Sequence, residues 1–454
     1  MKKIISLLLI IIFTVNIPAS AFSIKKKKAV DPLDQSEKLS YVNIDFMERF
    51  EDPYLMYYVN LAVKNNHDVR KASWQVEEYR QNVKYSFGQE LPSLSVTANY
   101  AGIHLPRLGN INLRDNAFIL PFILRYEPDF FLKNRDKTKS VKKTYEASKF
   151  EEKAVYISLV SDVATLYINI MQYDSLIESQ EGIVNIKKIQ LDREMKKFNR
   201  GVINNANLNS AKRDYETVKN NLEEYKKQRE TSLNNFAVLL GISPNSTDDI
   251  LRSKLSDFEY HSQIPATVLS DVIFSRPDVM ASEAKLEKAN IDIRVARKEF
   301  LPTFNILGIL AFNTIFPGNF FNWDSIVAAI IAGATQDIFK GGTKVANLKI
   351  NKARYEQMFE EYRQTDLNAV KEVNNALVIV KTDNEIDNNT IKKFELQQRD
   401  YIDSQSKYKR GVISYPELLS EEEKLISMYQ NQIQTKATRL VNYLTLYKAV
   451  GGKL

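Results

Sequence analysis

Arg200-Gly201-Val202-Ile203-Asn204 is echoed 210 residues later by Arg410-Gly411-Val412-Ile413-Ser414. The same offset joins Asp68-Val69 to Asp278-Val279, and Leu91-Pro92-Ser93 to Leu301-Pro302-Thr303. More loosely, it joins Leu239-Leu240-Gly241 to Ala449-Val450-Gly451. Chance supplies one such match, not four at one spacing, and a long-period repeat marks a duplicated structural unit. Asp129-Phe130-Phe131 and Asp337-Ile338-Phe339 fall 208 apart, so the intervening loops differ by two residues. The chain therefore divides into two copies, residues 60–241 and 270–451, joined by a linker over 242–269. An extended N-terminal segment is expected over 22–59.

Both copies share one grammar. A helix comes first (60–88 and 277–299), then a β pair (92–131 and 303–339). A very long helix follows (133–199 and 342–409), then a glycine-containing turn and a closing helix (205–240 and 416–449). Tyr156, Val163, Ile170, Ile177, Val184, Leu191 and Phe198 stand seven apart, as do Leu348, Tyr355, Tyr362, Ala369 and Ala376. A strict heptad on a 3.6-residue helix demands a neighbour along its whole length. At ~1.5 Å per residue each long helix is a rod of about 100 Å, and the two shorter helices of a unit stack to match it.

Leu94-Ser95-Val96-Thr97-Ala98-Asn99-Tyr100 alternates apolar and polar, as a strand does between an apolar and a wet face. Phe118–Tyr126 and Ile326–Ala334 are more continuously apolar, and each has the length of a tilted membrane strand. Tyr100, Phe118, Tyr126, Phe312, Phe316, Phe320, Phe321 and Trp323 cluster near the ends, where an interfacial aromatic girdle sits. Four strands cannot close alone, and open edges in lipid are prohibitive. Three copies would supply twelve.

Composition narrows the function. The chain has 454 residues, 44% hydrophobic and 26% charged, with only 14 Gly and 13 Pro to interrupt long elements. The absence of cysteine removes disulfides, thiolate metal sites and a lipid-modified Cys. His67, His104 and His261 have no metal-ligand spacing. The net charge of +7 is interspersed along helix faces, unlike a nucleic-acid footprint. Lys2 and Lys3 precede an apolar run and an A-x-A site, Ala19-Ser20-Ala21. This predicts a signal peptide over 1–21, cut between Ala21 and Phe22, with Lys25–Lys28 as a solvated tail. No later segment offers 18 consecutive apolar residues, so a membrane location must be built from strands.

At this point the residues resemble a known family, the TolC-like outer membrane efflux proteins. The resemblance is carried by Ser275-Arg276-Pro277-Asp278-Val279 with Ala281, Glu283 and Ala284, and by Phe300-Leu301-Pro302. Phe339-Lys340-Gly341-Gly342, Tyr362-Arg363-Gln364, Tyr408-Lys409-Arg410-Gly411 and Leu446-Tyr447-Lys448-Ala449-Val450-Gly451-Gly452 continue it. Each motif is soft, but their order covers nearly the whole chain. The resemblance implies an α+β membrane protein with two tandem repeats. It implies a homotrimer, whose 12-stranded β-barrel in outer-membrane lipid, four strands per chain, continues into a long periplasmic α-helical coiled-coil barrel. The location implied is the outer membrane of a Gram-negative cell, with a large periplasmic part. The partners implied are a periplasmic adaptor (membrane fusion) protein and an inner-membrane pump, with no nucleic acid and no cofactor. Many relatives carry a lipidated N-terminal Cys; this chain would be held by its barrel alone.

Gly201 and Gly411 supply positive φ at helix reversals. By the resemblance, Arg200, Gly201, Val202, Arg410, Gly411 and Val412 also form the periplasmic tips where adaptor hairpins dock. Acidic residues just after the C-terminal turn narrow that end in the family. The first such position is Glu417; the second is Ser420, where the family often has Asp, and the partner turn contributes Asn207. Three Glu417 carboxylates around one axis would repel one another and bind cations. The alternative is an ordinary first-turn Glu after Pro416 at N1, complementing the helix dipole. Glu421-Glu422-Glu423 reads as a solvated helix face, with a pore lining as the alternative. GxSxG, HExxH and GxxxxGK[ST] motifs are lacking, so the chain is expected to be no enzyme. The competing function is a non-conducting periplasm-spanning structural or adhesive rod.

Overall fold

The computed structural model describes residues 41, 43–104, 114–246, 250–261, 268, 270–314 and 323–453. The signal peptide expected over 1–21 with its Ala21/Phe22 cut, the Lys25–Lys28 run, and Phe316, Phe320 and Phe321 lie outside them. In chain order the helices are α1 (Ile44–Glu48), α2 (Pro53–Asn65), α3 (His67–Gly88), α4 (Lys133–Asn199), α5 (Asn205–Leu240), α6 (Ser270–Phe274), α7 (Pro277–Lys298), α8 (Thr343–Lys409) and α9 (Tyr415–Ala449). The strands are β1 (Ser93–Val96), β2 (Asn99–His104), β3 (Arg114–Tyr126), β4 (Thr303–Thr314) and β5 (Ile326–Thr335).

The duplication is visible element by element. α4 and α8 are each 67 residues long, and α3 and α7 are each 22. Pro92 and Pro302 directly precede β1 and β4. The two-residue slip between the Asp129 and Asp337 motifs is recovered before α8, where the pair Gly341-Gly342 restores the 210 offset. Equivalent junctions do equivalent work. Asn66 donates from Nδ2 to the Leu239 carbonyl (2.9 Å), tying the head of α3 to the end of α5. Arg276, 210 further on, donates from Nη1 to the Ala449 carbonyl (2.6 Å) and from Nη2 to Asp278 and Glu372 (2.7 Å each).

Three expectations need correction. The helix expected over 60–88 is two helices, because the Asn66 side chain accepts from the Asp68 and Val69 N–H groups (2.9 and 3.1 Å) and caps a new helix. The segment 22–59, expected to be extended, contains α1 and the first half of α2, which starts at Pro53 with Asp52 capping Leu55 N–H (2.7 Å). The first strand is broken into β1 and β2. Pro121 of β3 stands opposite the gap: Thr97 N–H donates to its carbonyl (3.2 Å), but proline has no N–H to return.

Among the described residues all strands are antiparallel, in the order β1/β2–β3–β4–β5, so the broken first stave and three whole ones make four staves. α4 packs on α3 and α5 on one side and on α7 and α9 on the other. α8 packs on α7 and α9 and has no comparable contact with α3 or α5. The core lies where these helices meet residues 46–50, 250–258 and 440–450. There Phe46 stacks on Tyr447 (4.6 Å) and Phe50 on Phe258 (5.1 Å). Burial pushes the Tyr447 hydroxyl up to about 12. It also raises Tyr167, whose O–H donates to Asp52 (3.2 Å). One stretch of α4 is long and apolar enough to cross a membrane, but most of it is buried among neighbouring helices.

Candidate functional site: helix tips and strand faces

At the far ends of the long helices the two tip turns are superimposable in their bonding. Gly201 (φ 72°) and Gly411 (φ 77°) donate to Phe198 and Tyr408 carbonyls (2.8 and 2.9 Å). Val202 and Val412 donate to Lys197 and Lys407 carbonyls (2.9 Å each). This pair of hydrogen bonds closes a helix that ends in a left-handed glycine. Arg200 and Arg410 are exposed, and Val202 and Val412 present 69% and 67% of their surface at the apices.

Among the described residues no hydrogen bond or ion pair joins the three expected gate residues to one another within the chain. Glu417 turns back on its own helix: Ser414 N–H donates to Oε2 (2.6 Å), completing a capping box. That backbone bond, with the Ser414 hydroxyl, holds the Glu417 carboxyl below its ordinary range, although it is fully exposed. Asn207 is exposed on α5, where its N–H donates to the Asn204 side chain (3.0 Å). Ser420 is exposed beside Gln397, Glu423 and Lys424.

The polar contacts that the tip does bring together were not read from the sequence. Lys187 of α4 pairs with Glu423 of α9 (2.7 Å). Gln397 of α8 donates to Glu421 (3.2 Å), which also pairs with Lys424 (2.7 Å) and has its carboxyl lowered by it. The acidic run, expected to be solvated, is thus partly engaged by α4 and α8. Arg193 lies over the Tyr415 ring (5.4 Å), and Tyr415 meets Tyr408 (5.6 Å). A signal existed: Lys187 and Arg193 correspond to Gln397 and Asp403 across the repeat, so the copies diverge in charge there.

At the other end the register sorts the sheet into two faces. One carries Leu94, Phe122, Leu124, Phe304, Leu310 and Ile330, without a polar side chain among them, and suits lipid. The other carries Ser93, Ser95, Arg125, Thr303, Asn305 and Thr335. Tyr100 and Trp323 are 63% and 88% exposed near strand ends. Among the described residues no group of three or more His, Cys, Asp or Glu is placed to hold a metal ion.

Comparison with known proteins agrees with this architecture. The model of a family described as outer membrane efflux protein matches residues 58–242 and again residues 268–452, the two copies at the same 210-residue offset. Cation efflux system protein CusC of Escherichia coli K12 is 27% identical over 440 residues, 95% of this chain and 92% of that protein. Toluene efflux pump outer membrane protein TtgC of Pseudomonas putida is 23% identical over 422 residues, 92% of this chain and 87% of that one. The solved open-state MtrE outer membrane channel of Neisseria gonorrhoeae superposes with a TM-score of 0.78 at 25% identity, covering 88% of this chain and 89% of its own. The Campylobacter jejuni CmeC outer membrane channel gives 0.82 at 23% identity, covering 90% and 88%, and speaks for the fold. Two full family matches in tandem, on a chain whose helices and strands repeat at that same interval, establish that this protein belongs to the outer membrane efflux protein family.

Proposed function

We propose that this protein is the outer-membrane duct of a tripartite efflux or secretion system. As a homotrimer it passively conducts solutes that an inner-membrane pump and a periplasmic adaptor deliver to it. The observation that carries the assembly is a mismatch between equivalent positions. Ile157, Ile168 and Ile186 of α4 are 2%, 0% and 3% exposed; their counterparts on α8, Leu367, Val378 and Leu396, are 64%, 65% and 58% exposed. The residues are equally apolar, so α8 is missing a neighbour. Its counterpart α4 finds one in α7 and α9, whose own equivalents are α3 and α5. A second copy offering α3 and α5 to α8 repeats the contact already made inside the chain. Such a head-to-tail contact closes into a three-membered ring when the rotation relating successive copies is a third of a turn. It also pairs the free edge of β5 with the β1/β2 edge of the next copy, giving three copies twelve staves.

The tip turns at Gly201 and Gly411 then form a ring at one end, where Arg200, Val202, Arg410 and Val412 are free to meet adaptor hairpins. Glu417 keeps its place near the entrance, but its bond to Ser414 favours the capping role over a cation ring. The test is single-channel recording of the purified protein in planar bilayers. Stepwise ohmic conductance is expected. A non-conducting rod would give a silent membrane.

A further inference from the structure

We infer that the foot of the barrel, on its pore face, binds an amphipathic organic anion: Arg125 holds the charge, and the apolar part lies along the adjoining rows of β4 and β5. The inference rests on the duct reading, because it needs the sheet to enclose a lumen.

The register places Ser93, Arg125, Leu307 and Ile331 in one row across the sheet, all on one face. The next row on that face holds Ser95, Ile123, Ile309 and Ala329. The rows between them, Leu94–Leu124–Gly308–Ile330 and Val96–Phe122–Leu310–Ala328, point the other way. They have no polar side chain and suit hydrocarbon, so the Arg125 face is the wet one. A pore face is ordinarily polar throughout. Here it is polar on the first stave and at the foot, but apolar across β3, β4 and β5 directly above Arg125. Apolar surface left to water marks a contact site.

Arg125 opens onto a cleft of about 370 Å³ shared with Gln89, Ser93, Glu127, Asn305 and Leu307. Glu127 does not serve as its counter-ion: Lys133 Nζ (2.9 Å) and Asn134 Nδ2 (3.2 Å) both donate to the Glu127 carboxylate. Among the described residues the Arg125 guanidinium has no ion pair or hydrogen-bond acceptor, so a forked donor stands free at the edge of the apolar rows. An inorganic anion would use the arginine and leave the rows idle; a neutral hydrocarbon would do the reverse. Successive rows on one face are roughly 7 Å apart. The ligand class that uses both is therefore a carboxylate or sulfonate with an aromatic or alkyl group one to two rows long.

The probe is anilinonaphthalenesulfonate at micromolar concentration, added on the tip side of the full-length channel in planar bilayers. Transient current interruptions are expected with the unaltered protein. Arg125→Gln should shorten their dwell time by about tenfold or more, the loss of a charge-assisted contact. Ile309→Asn, which keeps the arginine, should shorten it as well. Inorganic sulfate and the uncharged phenylnaphthylamine should cause no interruptions. Interruptions unchanged in either variant, or produced equally by sulfate, overturn the inference. A conducting channel that anilinonaphthalenesulfonate never interrupts overturns it while leaving the duct reading standing. A protein with no conductance overturns both.

Discussion

Leu132 holds a left-handed backbone (φ 56°) at the N-cap of α4, a conformation that costs a β-carbon residue roughly 1–2 kcal/mol. Its counterpart 210 residues on is Gly342 (φ 79°), at the N-cap of α8. The Leu132 side chain is 46% exposed, so little packing opposes the exchange. Leu132→Gly is expected to raise stability by up to ~1 kcal/mol after the entropy cost of glycine, read as a higher Tm. A fall of that size would show that the side chain anchors the strand–helix junction. Glu417 titrates with a definite sign. Its pKa is lowered in the folded protein, so its contribution is present above the ordinary glutamate value near 4.5 and lost as pH falls through the lower folded value. The protection factors of the Ser414, Glu417 and Leu418 amides, taken against the intrinsic exchange rate at each pH, should accordingly fall on acidification, and Glu417→Ala should abolish that pH dependence. Unaltered pH dependence in the variant would remove Glu417 from the cap. A first-turn Glu417 beside Pro416 was legible in the sequence; the capping box it completes with Ser414, with Pro416 at the second helical position, was seen only in the structure. The Lys187–Glu423 pair was not, because residues 236 apart meet only once the helices' neighbours are known.

Among the elements, the long helices were the most legible. Their heptads persist for many turns and their glycine ends are unambiguous, so α4 was bounded at both ends and α8 to within a residue. The break at Asn66 was hidden, since an asparagine inside a run of helix formers signals a cap only when its side chain is seen to bond forward. The first strand failed for a reason residing in its partner. Alternation continues through Thr97 and Ala98, but the ladder there needs an N–H that Pro121 lacks. β3 tolerates this proline although it is a central strand, because the missing donor faces the stave that yields. Pro121→Val is expected to join β1 to β2. Hydrogen exchange at residues 97–99 should slow, with Thr97 gaining a returned bond worth about 1 kcal/mol. Unchanged exchange there would place the cause of the break in β1/β2 itself.

At the scale of the whole molecule, the offset of 210 residues predicts more than internal likeness: it predicts the subunit contact. Lys187 of α4 meets Glu423 of α9 inside the chain. Adding 210 to the first and subtracting it from the second gives Gln397 of α8 and Arg213 of α5, which do not meet within one chain by any ion pair or hydrogen bond among the described residues. They should meet between copies. The chain has no cysteine, so Gln397→Cys with Arg213→Cys provides the only thiols for a short bismaleimide. The measurement is denaturing gel mobility of this double variant after cross-linking in outer membranes. The account predicts covalent dimers and trimers and no larger ladder, with each single variant remaining monomeric. A cross-link confined to single chains, or the absence of any species above the monomer, would contradict closure by the duplicated interface.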